Sequence, residues 1–178
     1  WKGLIDGLPS GVQMLAVSKG HSAYSIRCFA EYGQVDFGES RLQEALPKLE
    51  ALKDLTSLRW HFIGRLQSNK VRSVVKSFEF IHSVDSLSLA KRISRISGEE
   101  KKCPKIMLQV KFQDDPTKGG FGPSKLLEDW PKLNELNHLI LVGLMTMSPF
   151  GLDLEERTKL FKDCRLLADQ LNLPDCSM

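Results

Sequence analysis

The chain has few cysteines, and none placed for chemistry. Cys28, Cys103, Cys164 and Cys176 are the only four in 178 residues, and no two form a C-x-x-C pair. That spacing speaks against both a structural metal site and a disulfide framework. Cys28 and Cys164 fall on apolar helix faces and read as small buried hydrophobes. This usage fits a reducing cytoplasm, where the protein is expected to work. The four histidines, His21, His61, His82 and His138, show no H-x-x-x-H spacing, so no zinc site is legible. No apolar run approaches the ~20 residues of a membrane span, and no membrane partner is expected. The net charge is only +3, and no lysine/arginine run has the length of a nucleic-acid arm, which removes the electrostatic case for DNA or RNA. Trp1-Lys2-Gly3-Leu4 lacks the apolar core of a signal peptide. It also lacks an initiator Met, so the natural start is expected upstream. No G-x-G-x-x-G or Walker A loop follows any apolar run, which takes away the usual nucleotide signals.

What is present is a repeated alternation of short apolar runs and longer helical periods. Hydrophobic residues make up 42% and charged residues 26%, enough for one sizeable core. Val12 to Val17 predicts a first strand, and Ser22 to Tyr32 a helix. Val35 to Gly38 predicts a second strand. Its helix carries Leu42, Ala45, Leu46, Leu49 and Leu52 on one face. Ser40 and Gln43 have capping-box spacing there, and Pro47 should kink that helix. Trp60 to Ile63 predicts a third strand, followed by a helix with Val71, Val74, Val75 and Phe78. Phe80 to Val84 is the fourth strand, its helix placing Leu89, Ile93 and Ile96 inward. Lys105 to Val110 is the fifth. A polar loop from Lys111 to Gly122 leads into a helix from about Pro123 to Leu136. Leu139 to Met145 is the sixth strand, and Leu160, Phe161, Cys164, Leu167, Ala168 and Leu171 form the stripe of its helix.

Six β-α units in succession demand a parallel sheet, and continuous apolar strands fit burial on both faces. Two architectures satisfy this, a closed (β/α)8 barrel of the TIM type and an open doubly wound sheet. The barrel reading treats the whole chain, residues 1–178, as one domain. A full barrel takes eight units and typically ~250 residues. The chain ends at Asp175-Cys176-Ser177-Met178, where a seventh strand would begin, so the last two units are missing on this reading.

Lys19 follows the first strand directly, in Leu15-Ala16-Val17-Ser18-Lys19-Gly20. Barrel active sites gather at the C-terminal ends of strands. A desolvated amine there can be partly neutral and attack an aldehyde. A surface lysine in a turn is the competing reading from position alone. The other strand ends are polar too: Glu39-Ser40, Arg65 to Lys70, Asp85, and Thr146 to Pro149. Ser40 and Asp85 or Ser86 have the alternative of capping helices. His61 lies on the opposite face of its strand from Trp60, and is as readily a hydrogen-bonded core histidine as a functional one.

Taken together, these segments resemble the pyridoxal phosphate homeostasis proteins, relatives of the alanine racemase N-terminal barrel. The resemblance rests on Ala16-Val17-Ser18-Lys19, Phe37-Gly38-Glu39 with Gln43-Glu44, and Trp60-His61-Phe62-Ile63-Gly64 with Leu66-Gln67-Ser68-Asn69-Lys70. It continues through His82-Ser83-Val84-Asp85, Gln109-Val110, Lys118 with Gly120-Phe121, and Gly143-Leu144-Met145-Thr146. It implies a single barrel that holds pyridoxal 5'-phosphate as a Schiff base on Lys19, with Ser40, His61 and Met145 as further cofactor-binding residues. It implies no catalytic residue, no metal, and a role in keeping or carrying the cofactor for apo-enzymes. Two positions depart from the family pattern. Ser40 stands where Asn is common, and its shorter side chain has less reach. Lys111 also stands where Asn is common. The family's phosphate cradle begins with a Ser-Met-Gly-Met-Ser segment, of which only Ser177-Met178 is in this chain, so the natural protein is expected to continue. The runner-up is a racemase-like enzyme. Racemases of this fold add a tyrosine from a second domain, whereas the only tyrosines here are Tyr24 and Tyr32, both on the first helix. No helix has a fully apolar exterior, so a monomer is expected.

Overall fold

A computed structural model describes residues 2–113 and 119–178. In chain order its elements are α1 (Lys2–Asp6), β1 (Ala16–Val17), α2 (Ala23–Glu31), β2 (Asp36–Glu39), α3 (Leu42–Ala51), β3 (Arg59–Phe62) and α4 (Val71–Ser77). They continue as β4 (Phe80–Val84), α5 (Leu87–Glu99), β5 (Lys105–Gln109), α6 (Pro123–Asn134), β6 (Ile140–Met145), α7 (Leu154–Gln170) and β7 (Asp175–Ser177). All described strands belong to one parallel sheet in the order β1-β2-β3-β4-β5-β6-β7. Strand order that follows chain order is the barrel's winding. The doubly wound alternative would reverse direction at a switch point, and no reversal occurs. The six expected units are all present, and the chain's last residues add a seventh strand on β6.

Lateral pairing sorts the side chains onto two faces, because paired residues in neighbouring strands point the same way and successive residues alternate. Phe37, Phe62, Ile81, Ile106, Leu108 and Leu144 share the outer face with the helices and are nearly inaccessible to solvent. All but Phe37 meet the helix residues Val71, Val74, Ile93, Leu126, Leu133 and Cys164 in one continuous core, and Phe37 packs with Ile26 and Leu52 in a smaller one. Each such aliphatic side chain contributes about 1.5–3 kcal/mol by leaving water. This explains why the helix stripes read from the sequence were reliable. They are what packs against the sheet.

Helix ends follow the local chemistry. Ser22 accepts from the Ser25 N–H, Ser86 from the Leu89 N–H, and Asp153 with Glu156 closes a reciprocal capping box. The box expected from Ser40 and Gln43 is not made. The N-cap of α3 is Arg41, without a side-chain bond, because Ser40 still belongs to the strand end. There its backbone lies so close to Gly64 that an added Cβ at 64 would sit 2.0 Å from the Ser40 carbonyl oxygen. Helix α3 carries Pro47, where a kink was expected, inside one continuous helical span. Burial of Leu42, Ala45 and Lys48 holds its two halves on the sheet. Strand β1 is shorter than the apolar run Val12 to Val17, because β2 pairs with it from Ala16 onward and Val12 is exposed. Among the described residues, no helix is long and apolar enough to cross a membrane. The four cysteines are free of disulfides.

Candidate functional site

The inner face of the sheet is unlike the outer one. The register places Gly38, His61, Phe80 and Lys105 side by side across four strands, and Gln109, Met145 and Ser177 across three. The His61 ring stacks on Phe80 at 4.2 Å between centroids, and the Lys105 amine stands 4.7 Å over the same Phe80 ring. A polar chain runs along this floor. Arg59 pairs with Asp36 at 2.5 Å, Asp36 meets His61 Nε2 at 2.9 Å, and His61 Nδ1 meets His82 Nε2 at 2.9 Å. His82 Nδ1 in turn lies 3.0 Å from the Ser177 hydroxyl, so the chain of contacts reaches from β2 to β7.

The proton positions in this chain follow from its ends. Burial pushes His61 below the ordinary histidine range, against the opposing pull of Asp36. Burial, reinforced by the neighbouring His61, pushes His82 down to about 3. Both rings are therefore neutral near pH 7, each with one donor and one acceptor. The Asp36 carboxylate only accepts, so His61 donates from Nε2 and accepts at Nδ1. His82 then donates from Nε2 and accepts at Nδ1, and the Ser177 hydroxyl donates to it. One tautomer is consistent along the whole chain.

Lys19 lies two residues beyond Val17. The ladder continues past β1, with the Ser18 N–H donating to the Gly38 carbonyl at 2.9 Å. Alternation thus turns Ser18 outward and Lys19 to the inner face, at the C-terminal rim. Lys19 is exposed, so the desolvation that the sequence reading invoked is absent. Among the described residues, no hydrogen bond or ion pair engages its amine. Behind it, on the outer face, a buried cluster holds the backbone. Lys48 donates to the Ser18 carbonyl at 2.9 Å, to Glu39 Oε1 at 2.8 Å and to Glu44 Oε1 at 2.7 Å. The Ser18 hydroxyl donates to Glu39 Oε1 at 2.8 Å, and the Gly20 N–H donates to Glu44. Burial opposes a charge on Lys48, but the bonds to Glu39 and Glu44 outweigh it and raise Lys48 above the ordinary lysine range. Glu44 is held low by its bonds to Lys48 and to the Gly20 N–H.

The four site residues named from the sequence share the inner face or its rim. Lys19 and Ser40 lie at the ends of adjacent strands, and Met145 lies at the end of β6 between Gln109 and Ser177. His61 is on the floor, but both its ring nitrogens are taken by Asp36 and His82. Lys118 of the quoted motif lies outside the described residues. Sequence reasoning missed Asp36, Arg59 and Lys48 altogether, and treated His82 and Ser177 only as motif letters. The signals were there. Glu44 and Lys48 have i, i+4 spacing, and the short strand Asp36-Phe37-Gly38-Glu39 carries one carboxylate for each face. Among the described residues no group of three or more His, Cys, Asp or Glu side chains could hold a metal ion.

With this geometry in hand, the chain compares closely with known proteins. Residues 5–176 match the family described as alanine racemase, N-terminal domain. A pyridoxal phosphate homeostasis protein of Synechocystis is 44% identical over 169 residues, spanning 95% of this chain and 78% of the relative. One from Aquifex aeolicus is 37% identical over 172 residues, spanning 93% and 75%. The structure of PipY from Synechococcus elongatus with its cofactor PLP bound superposes with a TM-score of 0.95 at 43% identity, covering 99% of this chain and 85% of that one. Alanine racemase of Clostridium difficile shares the fold alone, with a TM-score of 0.77 at 19% identity over 96% of this chain and 46% of the enzyme.

Proposed function

The chain belongs to the pyridoxal phosphate homeostasis proteins, within the alanine racemase N-terminal domain family, and from that premise we propose that it holds pyridoxal 5'-phosphate through Lys19. The observation that carries this reading is the placement of Lys19: an exposed amine at the C-terminal rim of the sheet's inner face, over a polar floor, with its backbone clamped from behind. These residues fit the group. Lys19 supplies the amine for a Schiff base with the cofactor's aldehyde, Ser40 and Met145 border the rim, and His61 and His82 with Ser177 form the floor. Held there, the group would supply an aldehyde that stays available to other amines. The protein's task would be to keep the cofactor and release it to apo-enzymes in the cytoplasm, acting as a monomer and as one domain.

A racemase needs an acid and a base on opposite faces of its substrate. Tyr24 on α2 and Tyr32 at its C-cap are exposed by 76% and 67%, outside the sheet, and serve no such role. We therefore assign no dedicated catalysis. The test is spectroscopic. Protein loaded with pyridoxal 5'-phosphate should show an absorption band above about 400 nm that is lost in Lys19→Ala. A band that persists in the variant would refute the anchor.

A further inference from the structure

The cluster behind Lys19 has no part in the proposed binding contacts, yet it is buried, charged and aimed at the two residues on either side of the anchor. Resting on the reading of Lys19 above, we infer that Lys48 and Glu44 are positioning residues for the Schiff-base lysine, clamping the backbone at Ser18 and Gly20 so that Lys19 leaves the sheet in one direction.

The geometry makes this more than a helix-to-sheet tether. A tether between α3 and β2 would need only the pair Lys48–Glu39, both inside the protein. Here the same Lys48 amine also reaches the Ser18 carbonyl, while Glu44, bonded to Lys48, takes the Gly20 N–H. Ser18 is fixed a second time, by its hydroxyl on Glu39. The backbone is thus held immediately before and immediately after Lys19, and by groups on the face opposite its side chain. The clamp matters at this strand in particular. β1 has only two residues in its ladder with β2, so that pairing alone fixes it weakly. Gly20 has a positive φ of 77°, so the chain turns sharply right after the anchor. Without the clamp the turn and the short strand would let the Lys19 root wander.

Schiff-base formation joins the lysine nitrogen to the aldehyde carbon and expels the carbonyl oxygen as water. The nitrogen must approach the carbon along one line. A misplacement of about 1 Å can slow such a step by ~100-fold. Lys48 and Glu44 touch neither partner, so they act through the Lys19 backbone.

The experiment uses the full chain and pyridoxal 5'-phosphate. The rate of appearance of the band above about 400 nm is followed in Lys48→Met and Glu44→Ala, with borohydride trapping and peptide mass analysis to show which lysine is modified. Expected are a roughly tenfold or greater slowing and a spread of trapped cofactor from Lys19 to other lysines, with recovery in Lys48→Arg and Glu44→Gln. Leu133→Ala, on α6 and remote from β1, supplies a destabilised control that should load at the wild-type rate. Glu44→Ala removes only a half-buried side chain, so it keeps the test sound if Lys48→Met does not fold. Folded Glu44→Ala that loads Lys19 at the wild-type rate overturns the inference while leaving the anchor intact. Equal slowing in Leu133→Ala overturns it too. Absence of any Lys19-dependent band in the wild-type protein defeats the functional reading itself, and the inference falls with it.

Discussion

His82 should make the fold acid-sensitive in a window where the paired carboxylates do not. In the unfolded chain a histidine titrates near 6.5; in the folded protein burial drives His82 to about 3. The shift is downward, so between those values the unfolded state carries one proton more than the folded state. Stability from this residue is complete above about pH 6.5 and is lost as pH falls toward 3. At pH 5 the unfolded imidazole is almost fully charged and the folded one almost fully neutral, and the loss relative to pH 7.5 comes to about 2 kcal/mol. The carboxylates with lowered values, Glu44, Asp54, Glu99 and Glu100, have unfolded values of 3.8 to 4.5 and act mainly below about pH 5, so the span from pH 7.5 to 5 isolates the histidines. His61 is lowered as well, and adds to the slope in the same direction. Urea denaturation of the unloaded protein at pH 7.5 and pH 5 measures the difference directly. His82→Gln keeps an amide toward His61 and Ser177 but does not titrate, so its stability should fall by about 2 kcal/mol less than that of the wild type over the same span. A wild-type stability that is flat from pH 7.5 to 5, or a variant with the wild-type slope, would refute the buried neutral chain.

Two other outcomes are expected. Gly64→Ala brings a Cβ to 2.0 Å from the Ser40 carbonyl oxygen, so β2 and β3 must part at the rim; denaturation should show a loss of about 1–3 kcal/mol or more, and cofactor affinity should drop with it. Loaded protein incubated with single-enantiomer amino acids should leave them unracemised while transferring cofactor to an added apo-enzyme; turnover at ordinary enzymatic rates would restore the racemase reading.

Much of the fold was legible because the outer face of the sheet is apolar and packs on apolar helix stripes. Val71, Val74 and Val75, or Leu89, Ile93 and Ile96, announce their helices by period alone, and β4 matches its apolar run residue for residue. Element ends were less legible where tertiary contact overrules local preference. Ser40 has the chemistry of a cap but lies just past β2, packed against Gly64, and Arg41 takes the cap position. Pro47 has the chemistry of a helix breaker but sits between buried Ala45 and buried Lys48. Lys19 stood out in the sequence because a lysine after an apolar strand is conspicuous. It was not legible at Lys48, one more lysine on a helix whose exposed face also carries charges. Only the partners that fold brings from β1 and β2 distinguish it.

Strand β2 connects the two halves of the site. It has four residues and two buried carboxylates, Asp36 toward the inner face and Glu39 toward the helices. Glu39 is fully buried and has one oxygen, Oε2, without a hydrogen-bond partner. An apolar residue of similar size would avoid that desolvation, and replacing buried ion pairs by apolar groups is often neutral or stabilising. Stability therefore does not account for this arrangement. Orientation does. Asp36 fixes the tautomer of His61 and through it the hydroxyl of Ser177 on the far side of the floor. Glu39 fixes Lys48 and Ser18 and through them the root of Lys19. Both polar systems end on inner-face groups or on the root of Lys19, and both begin on one strand beside it. Cutting either at β2 should disturb the anchor or the floor separately, which would be unexpected if the two carboxylates served the packing of the sheet alone.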